Sequence, residues 1–145
     1  MKALLQRVAA AHVAIAGETV GQIDSGLLVL LGVEKGDDQD KAARLLDKLL
    51  AYRIFPDEQQ RMNRNVVEAN GGLLIVSQFT LAADTSKGLR PSFSSAAPPA
   101  EAEQLYEWLL AAAREKHHPV ACGRFGADMQ VHLINDGPVT FLLQV

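Results

Sequence analysis

Leu27-Leu28-Val29-Leu30-Leu31 is an unbroken apolar run, closed by Gly26 on one side and by Gly32-Val33 on the other. A strand with one wet face alternates apolar and polar side chains, and this run does not, so it is predicted to be a buried central strand. Leu73-Leu74-Ile75-Val76 has the same character and follows the turn residues Asn70-Gly71-Gly72. The rest of the chain is arranged around these two strands.

Before them, Val13 and Ile15 alternate with smaller residues, Gly17-Glu18 makes a turn, and Val20 and Ile23 resume the pattern. Residues 37–53 change to a helical period, with Ala42, Leu45, Leu46, Leu49 and Leu50 on one stripe. Asp37, Asp38 and Asp40 crowd the start of that helix, where its dipole favours negative charge. Asp40 and Arg44 are spaced to pair on its wet side. A polar stretch, Pro56 to Arg64, leads to an expected short strand around Val66-Val67.

From Ala82 to Ala97 no period survives, and a loop of this length is usually functional or mobile. Pro98-Pro99 opens a second helix in its first turn. Its stripe is Ala102, Leu105, Tyr106, Leu109 and Leu110, and Lys116, His117, His118 and Pro119 mark its end. Met129 to Ile134 alternates as a strand, Asn135 to Pro138 reads as a turn, and Val139 to Val145 returns as a strand. The predicted class is α+β: a largely antiparallel, β-barrel-like sheet with two main helices, in one domain over residues 1–145.

With 48% hydrophobic and 21% charged residues the composition is that of an ordinary soluble globular domain. Gln6, Arg7 and His12 interrupt the apolar N-terminus before it reaches the length of a signal peptide, and no run spans a membrane. A lone cysteine, Cys122, forms no internal disulfide and reads as a small filler. A cytoplasmic location is expected. The net charge of −3 argues against coating nucleic acid by bulk charge, yet leaves room for gripping one RNA end through local contacts.

Ser77-Gln78-Phe79-Thr80 sits where a buried strand surfaces. It reads either as an active-site edge, with hydroxyls and backbone N–H groups placed to polarise a carbonyl, or as a strand end meeting solvent. No G-x-S-x-G elbow accompanies it, and none of His12, His117, His118 and His132 is assignable as a base. His117-His118 read as a solvated helix end, His12 and His132 as half-exposed sheet residues, and no metal-ligand cluster stands out. Lys87, Arg90 and the loop serines suit phosphate contacts or plain solubility. Arg7 is anomalous inside an apolar strand: it lies on an exposed face or is held by specific hydrogen bonds.

Val76-Ser77-Gln78-Phe79-Thr80-Leu81 and Asn135-Asp136-Gly137-Pro138-Val139-Thr140 resemble the two signature motifs of bacterial-type D-aminoacyl-tRNA deacylases. Gln6-Arg7-Val8, Gly26 to Val33, Arg53-Ile54-Phe55, Met62-Asn63, Arg90-Pro91-Ser92-Phe93 and Ala127-Asp128-Met129-Gln130-Val131 resemble further blocks of that family, in the same order. The resemblance implies a homodimer and a hydrolase without metal or other cofactor, acting on the 3′ end of tRNA carrying a D-amino acid or glycine. Ser77, Gln78, Phe79 and Thr80 are then the catalytic residues, and Gly137, Pro138, Arg7 and Met129 the substrate-binding ones. It further implies a cis Gly137-Pro138 bond inserted into the partner subunit's site, with Arg7 holding that motif. Attack by water or with help from the ribose 2′-hydroxyl, Thr80 positioning, is preferred to attack by Thr80 itself.

Overall fold

A computed structural model describes residues 1–145. Three strands open the chain: β1 (Lys2–Ile15), β2 (Glu18–Ile23) and β3 (Gly26–Gly32). Helix α1 (Gln39–Ala51) follows, then a small ribbon of β4 (Phe55–Pro56) and β5 (Met62–Arg64). Strand β6 (Gly72–Ser77) runs into a 3-10 turn (Phe79–Ala82), and α2 (Pro99–Lys116), β7 (Val120–Cys122) and β8 (Gln130–Gln144) complete the order. No helix is long and apolar enough to cross a membrane.

The main sheet has the order β2-β1-β3-β6-β7, and β8 pairs with the other edge of β1. Every pairing of β1 is antiparallel, whereas β3–β6 and β6–β7 are parallel. Parallel neighbours need a crossover; α1 supplies it between β3 and β6, and α2 between β6 and β7. The sheet curls until β7 meets β2. Gly21 makes that approach possible, because a Cβ there would stand 2.3 Å from the carbonyl oxygen of Cys122. The result is an α+β fold with a nearly closed, barrel-like sheet and two helices on its outside.

Both faces of β3 and β6 are covered, which is why their sequences do not alternate. Leu27, Val29, Leu31, Leu73 and Ile75 pack against Leu45, Leu46, Leu49, Leu105 and Leu109 of the helices. Leu28, Leu74 and Val76 point the other way, into the barrel, with Val8, Val13 and Ile23. Fully burying one such side chain is worth roughly 1.5–3 kcal/mol.

The helices begin and end as their sequences require. Asp38 caps α1 by accepting the N–H of Lys41 at 2.8 Å. Pro98 and Pro99 open α2. Leu50 is only half-buried, and Arg44 makes no ion pair; Lys41 instead reaches Asp37 at 3.5 Å, and Lys116 joins the helices by bonding Asp47 at 2.6 Å.

Three expectations need correction. Val66-Val67 is part of a turn, and the strand lies earlier, at Met62–Arg64, because its partner is the adjacent β4. His117 is no solvated end: half-buried, its Nε2 lies 2.7 Å from the Gly71 carbonyl, tying α2 to the turn before β6. Asn135 to Pro138 does not reverse the chain. Strand β8 continues along β1 on both sides of it, and between the pairs Gln6–Thr140 and Val8–Asn135 the single residue Arg7 faces Asp136 to Val139. The segment is a large bulge.

At the head of the sheet the α-amino group of Met1 is buried between Glu34 (3.0 Å) and Asp37 (2.8 Å), and Lys2 reaches Glu34 at 3.2 Å. Burial works against ionisation of Glu34, yet hydrogen bonds from the α-amino group and Lys2 prevail and hold its carboxyl below the ordinary value. A lowered folded-state pKa stabilises above the unfolded-state value of about 4.5 and is lost as pH falls through the folded one. Glu34→Gln is therefore expected to cost about 1–3 kcal/mol at neutral pH. Urea titrations at pH 7 and at progressively lower pH check this, since the gap between variant and parent narrows as pH falls below about 4.5. A gap that stays constant down to the acid unfolding limit would show that Glu34 acts by packing alone.

Candidate active site

Strand β6 delivers the site. Its ladder ends when the N–H of Gln78 bonds the carbonyl of Leu31 at 2.8 Å, and the chain then tightens into the 3-10 turn. In such a turn the first N–H groups have no acceptor within the helix. The N–H of Leu81 goes to Gln78 and that of Ala83 to Thr80, which leaves those of Phe79 and Thr80 for a ligand. The Gln78 side-chain amide donates to Thr80 Oγ1 and fixes that hydroxyl beside them.

The turn is held from behind. Gly32 of β3 lies against it: a Cβ at Gly32 would come 2.9 Å from Leu81 Cβ and 3.2 Å from the Gln78 carbonyl oxygen. Lys2 donates to the Leu81 carbonyl at 3.4 Å, and Ser95 Oγ to that of Ala82 at 2.8 Å. The turn is thereby clamped at both ends while its outer N–H edge stays open.

Beside it opens a cavity of about 440 Å³. Ser77, Gln78 and Phe79 form one wall, Phe125 and Met129 another, and Tyr106 of α2 reaches in from the core. Met129 can lie flat because Gly123 offers no side chain, a Cβ there falling 2.6 Å from Met129 Sδ. Tyr106 donates from its hydroxyl to the Ile75 carbonyl at 2.9 Å, and burial drives its phenol pKa upward, so it stays a neutral donor. It is the only titratable side chain in the lining. Whatever happens here uses backbone, hydroxyl and amide dipoles, which act strongly in a site with apolar walls.

Of the residues singled out from the sequence, Ser77, Gln78, Phe79 and Met129 line this one cavity, and Thr80 adjoins it through Gln78. Arg7, Gly137 and Pro138 do not line it. Arg7 is 13% exposed and resolves its own anomaly: it donates to the carbonyls of Asp136 (3.0 Å) and Ile54 (2.8 Å). Asn135 laces the same bulge, accepting the N–H of Val139 at 2.8 Å and donating to Thr140 Oγ1 at 3.0 Å. Gly137 and Pro138 stand exposed at its crest, joined by a cis peptide, as His118–Pro119 is.

No histidine reaches the cavity. His12 and His132 stack on each other across β1 and β8 with ring centroids 4.2 Å apart, and His117 is engaged with Gly71. Sequence reasoning missed Tyr106 and Phe125 as cavity residues. Tyr106 lies on the buried stripe of α2 and is indistinguishable there from core; Phe125 sits outside any periodic element.

The chain matches the D-Tyr-tRNA(Tyr) deacylase family over residues 4–144. It belongs to that family. A protein from Stutzerimonas stutzeri called D-aminoacyl-tRNA deacylase is 69% identical over 144 residues, covering 99% of each chain. One of the same name from Pseudomonas aeruginosa is 65% identical over 144 residues, again with 99% of each covered. Among solved structures, one titled c-Myc DNA Unwinding Element Binding Protein superposes with a TM-score of 0.96 at 40% identity, covering 100% of this chain and 99% of that one. A probable eukaryotic D-amino acid tRNA deacylase shares the fold, with a TM-score of 0.77 at 17% identity over 99% and 98% of the two chains. The chain is thus an ester-hydrolysing enzyme by family, and the open N–H edge beside the cavity is the geometry that suits such chemistry.

Because only hydrogen occupies the Gly32 side-chain position, Gly32→Ala should push the turn outward by a few tenths of an ångström or more. If the turn polarises the substrate, misplacement approaching about 1 Å costs up to about 10²-fold in rate. The expected result is a folded protein with a deacylation rate lowered mainly through kcat. A wild-type rate would show that the turn tolerates displacement.

Proposed function

We propose that this protein hydrolyses the ester joining a D-amino acid or glycine to the 3′ end of tRNA and spares the L-aminoacyl esters, working in the cytoplasm as a homodimer. The observation that carries this reading is the pair of free N–H groups at Phe79 and Thr80, beside a largely apolar cavity, in a chain of the deacylase family.

The ester carbonyl would accept from these N–H groups, which bind the oxyanion more tightly than the ground-state carbonyl. Water adds to the carbonyl carbon, the bond to the ribose 3′-oxygen breaks, and the products are the free amino acid and tRNA with a 3′-hydroxyl. The cavity beside Thr80 is lined by no histidine or carboxylate that could take its proton, so Thr80 is read as positioning water or substrate. The neighbouring 2′-hydroxyl of the ribose is suited to pass the proton to the leaving oxygen.

Sparing L-esters requires a rigid wall near the substrate's α-carbon. Gly137-Pro138 is built as such a wall, laced by Arg7 and Asn135, but it lies outside the cavity of its own chain. A second copy supplies the missing piece in this reading. The outward residues Ile134 and Leu142 of β8, 63% and 56% exposed, provide apolar surface for that copy to cover. Glycine has no side chain to exclude and passes.

Incubation of the purified enzyme with D-tyrosyl-, L-tyrosyl- and glycyl-tRNA tests the activity. The D and glycyl esters should be lost, with the L ester slower by at least about 10²-fold. Equal D and L rates would end the proposal. The structure titled as a DNA-binding protein favours a second reading, a nucleic-acid-binding module without chemistry; turnover of the D ester excludes it.

The dimer has its own test. In a mixed dimer of one Arg7→Ala and one Thr80→Ala subunit, a cross-subunit motif places both lesions at one site and leaves the other intact. Such a dimer should keep about half the wild-type activity while each homodimer falls by roughly 10²-fold. If the motif serves its own subunit, both sites carry a lesion and the mixed dimer is as poor as its parents.

A further inference from the structure

Residues 84–92 form a loop with a closed neck. The N–H of Asp84 bonds the Ser92 carbonyl at 2.7 Å, and the N–H of Ser92 returns to Asp84 at 3.1 Å. The loop's one carboxylate, Asp84, is turned to its own backbone and accepts the N–H of Ser86 at 2.9 Å. Gly88 turns the tip at φ +70°. Around it stand Lys87, Leu89 and Arg90, all exposed, with Leu89 fully in solvent.

Neither Lys87 nor Arg90 has an ion-pair or side-chain hydrogen-bond partner, although the chain carries 17 acidic residues and a net charge of −3. Of the 14 Lys and Arg residues only Lys2, Arg7, Lys41 and Lys116 have carboxylate partners, so what sets Lys87 and Arg90 apart is their place together on a loop tied to the cavity. The loop is also tied to the active site. Just past the neck, Phe93 packs on Phe79 with ring centroids 5.0 Å apart, both rings partly exposed, and Phe79 lines the cavity.

We propose that this loop is a docking subsite for the single-stranded RNA next to the esterified nucleotide. Phe93 offers a face to a base, and Lys87 and Arg90 take two backbone phosphates. This rests on the reading of the substrate as tRNA and extends it beyond the cavity. The spacing allows it: the tip is four residues from the neck, a reach of at most about 14 Å, and a stacked strand presents a phosphate roughly every 3.4 Å of axis. Aromatic rings and unpaired cations together are the means by which single strands are held without base readout. Local cations also reconcile an acidic protein with a polyanionic substrate.

The test compares the wild type with a Lys87→Gln/Arg90→Gln double variant. Affinity for deacylated tRNA is measured by fluorescence anisotropy between about 50 and 200 mM salt. Hydrolysis is measured on D-tyrosyl-tRNA and on 3′-O-D-tyrosyl-adenosine, which has no phosphate. The variant should bind tRNA about tenfold more weakly at the low-salt end, and its salt slope should fall by about 1.4, or 0.7 for each phosphate that is no longer neutralised. On D-tyrosyl-tRNA KM should rise with kcat nearly unchanged, while the adenosine ester is cleaved as by the wild type. Unchanged tRNA affinity, or an equal loss on both esters, would overturn the proposal. A wild type that binds tRNA through the loop yet cleaves neither ester would count against the deacylase reading and in favour of the subsite.

Discussion

Strand β1 pairs antiparallel with three others, and the rest of the molecule depends on that pairing. Its first half is bonded to β3, its second half to β2, and nearly its whole length to β8 on the opposite edge. To serve all three, β1 must bend, and the bend changes which face its side chains meet. Ala3 and Leu5 pack toward the helices, while Val8, Ala11 and Val13 pack inside the barrel. The extra residue that shifts the alternation is Ala9, and Arg7 sits just before it, opposite the place where β8 bulges. The same geometry that curls the sheet therefore creates the crest carrying Gly137 and Pro138, and puts a cation where it can grip the bulge by two backbone carbonyls.

The parallel side of the sheet has a different task. Strands β3 and β6 are buried on both faces, so their ends are the first points at which the chain can present polar groups. At the end of β6 this occurs within four residues, through Ser77, Gln78 and the 3-10 turn. A buried strand is a rigid base, and a turn anchored by Gly32, Lys2 and Ser95 inherits that rigidity. Preorganised backbone donors contribute to catalysis because they need no reorganisation when charge develops. A site made of them also escapes dependence on any side-chain pKa, which agrees with a lining whose one titratable group is a buried tyrosine.

The two central strands and both long helices were legible because their signals are local: a continuous apolar run for one, a 3.6-residue stripe for the other. The bulge was not, since Asn-Asp-Gly-Pro carries turn chemistry and only pairing with β1, far away in sequence, keeps the chain going straight. Strand β7, three residues long, was unreadable for the same reason: its register comes from β6. At the site, Ser77 to Thr80 was visible as polarity at the end of an apolar strand. Tyr106 was hidden because it belongs both to the core and to the cavity lining, and a periodicity argument sees only the first. Arg7 was visible as an anomaly, but its partners were not, since Ile54 and Asp136 lie far from it and from each other along the chain.

The 3-10 turn and the Gly137-Pro138 crest of one chain lie apart, and in the proposed reading that separation has a physical consequence. In that reading a single subunit holds a carbonyl-polarising edge and a cavity, and the crest lies outside that cavity. Rejection needs a surface that cannot yield, and the crest is one, with its backbone fixed by Arg7 and Asn135 rather than by soft side-chain packing. If the crest is supplied by a second copy, chemistry and selectivity come from different chains, and a monomer would be an ester hydrolase without a filter.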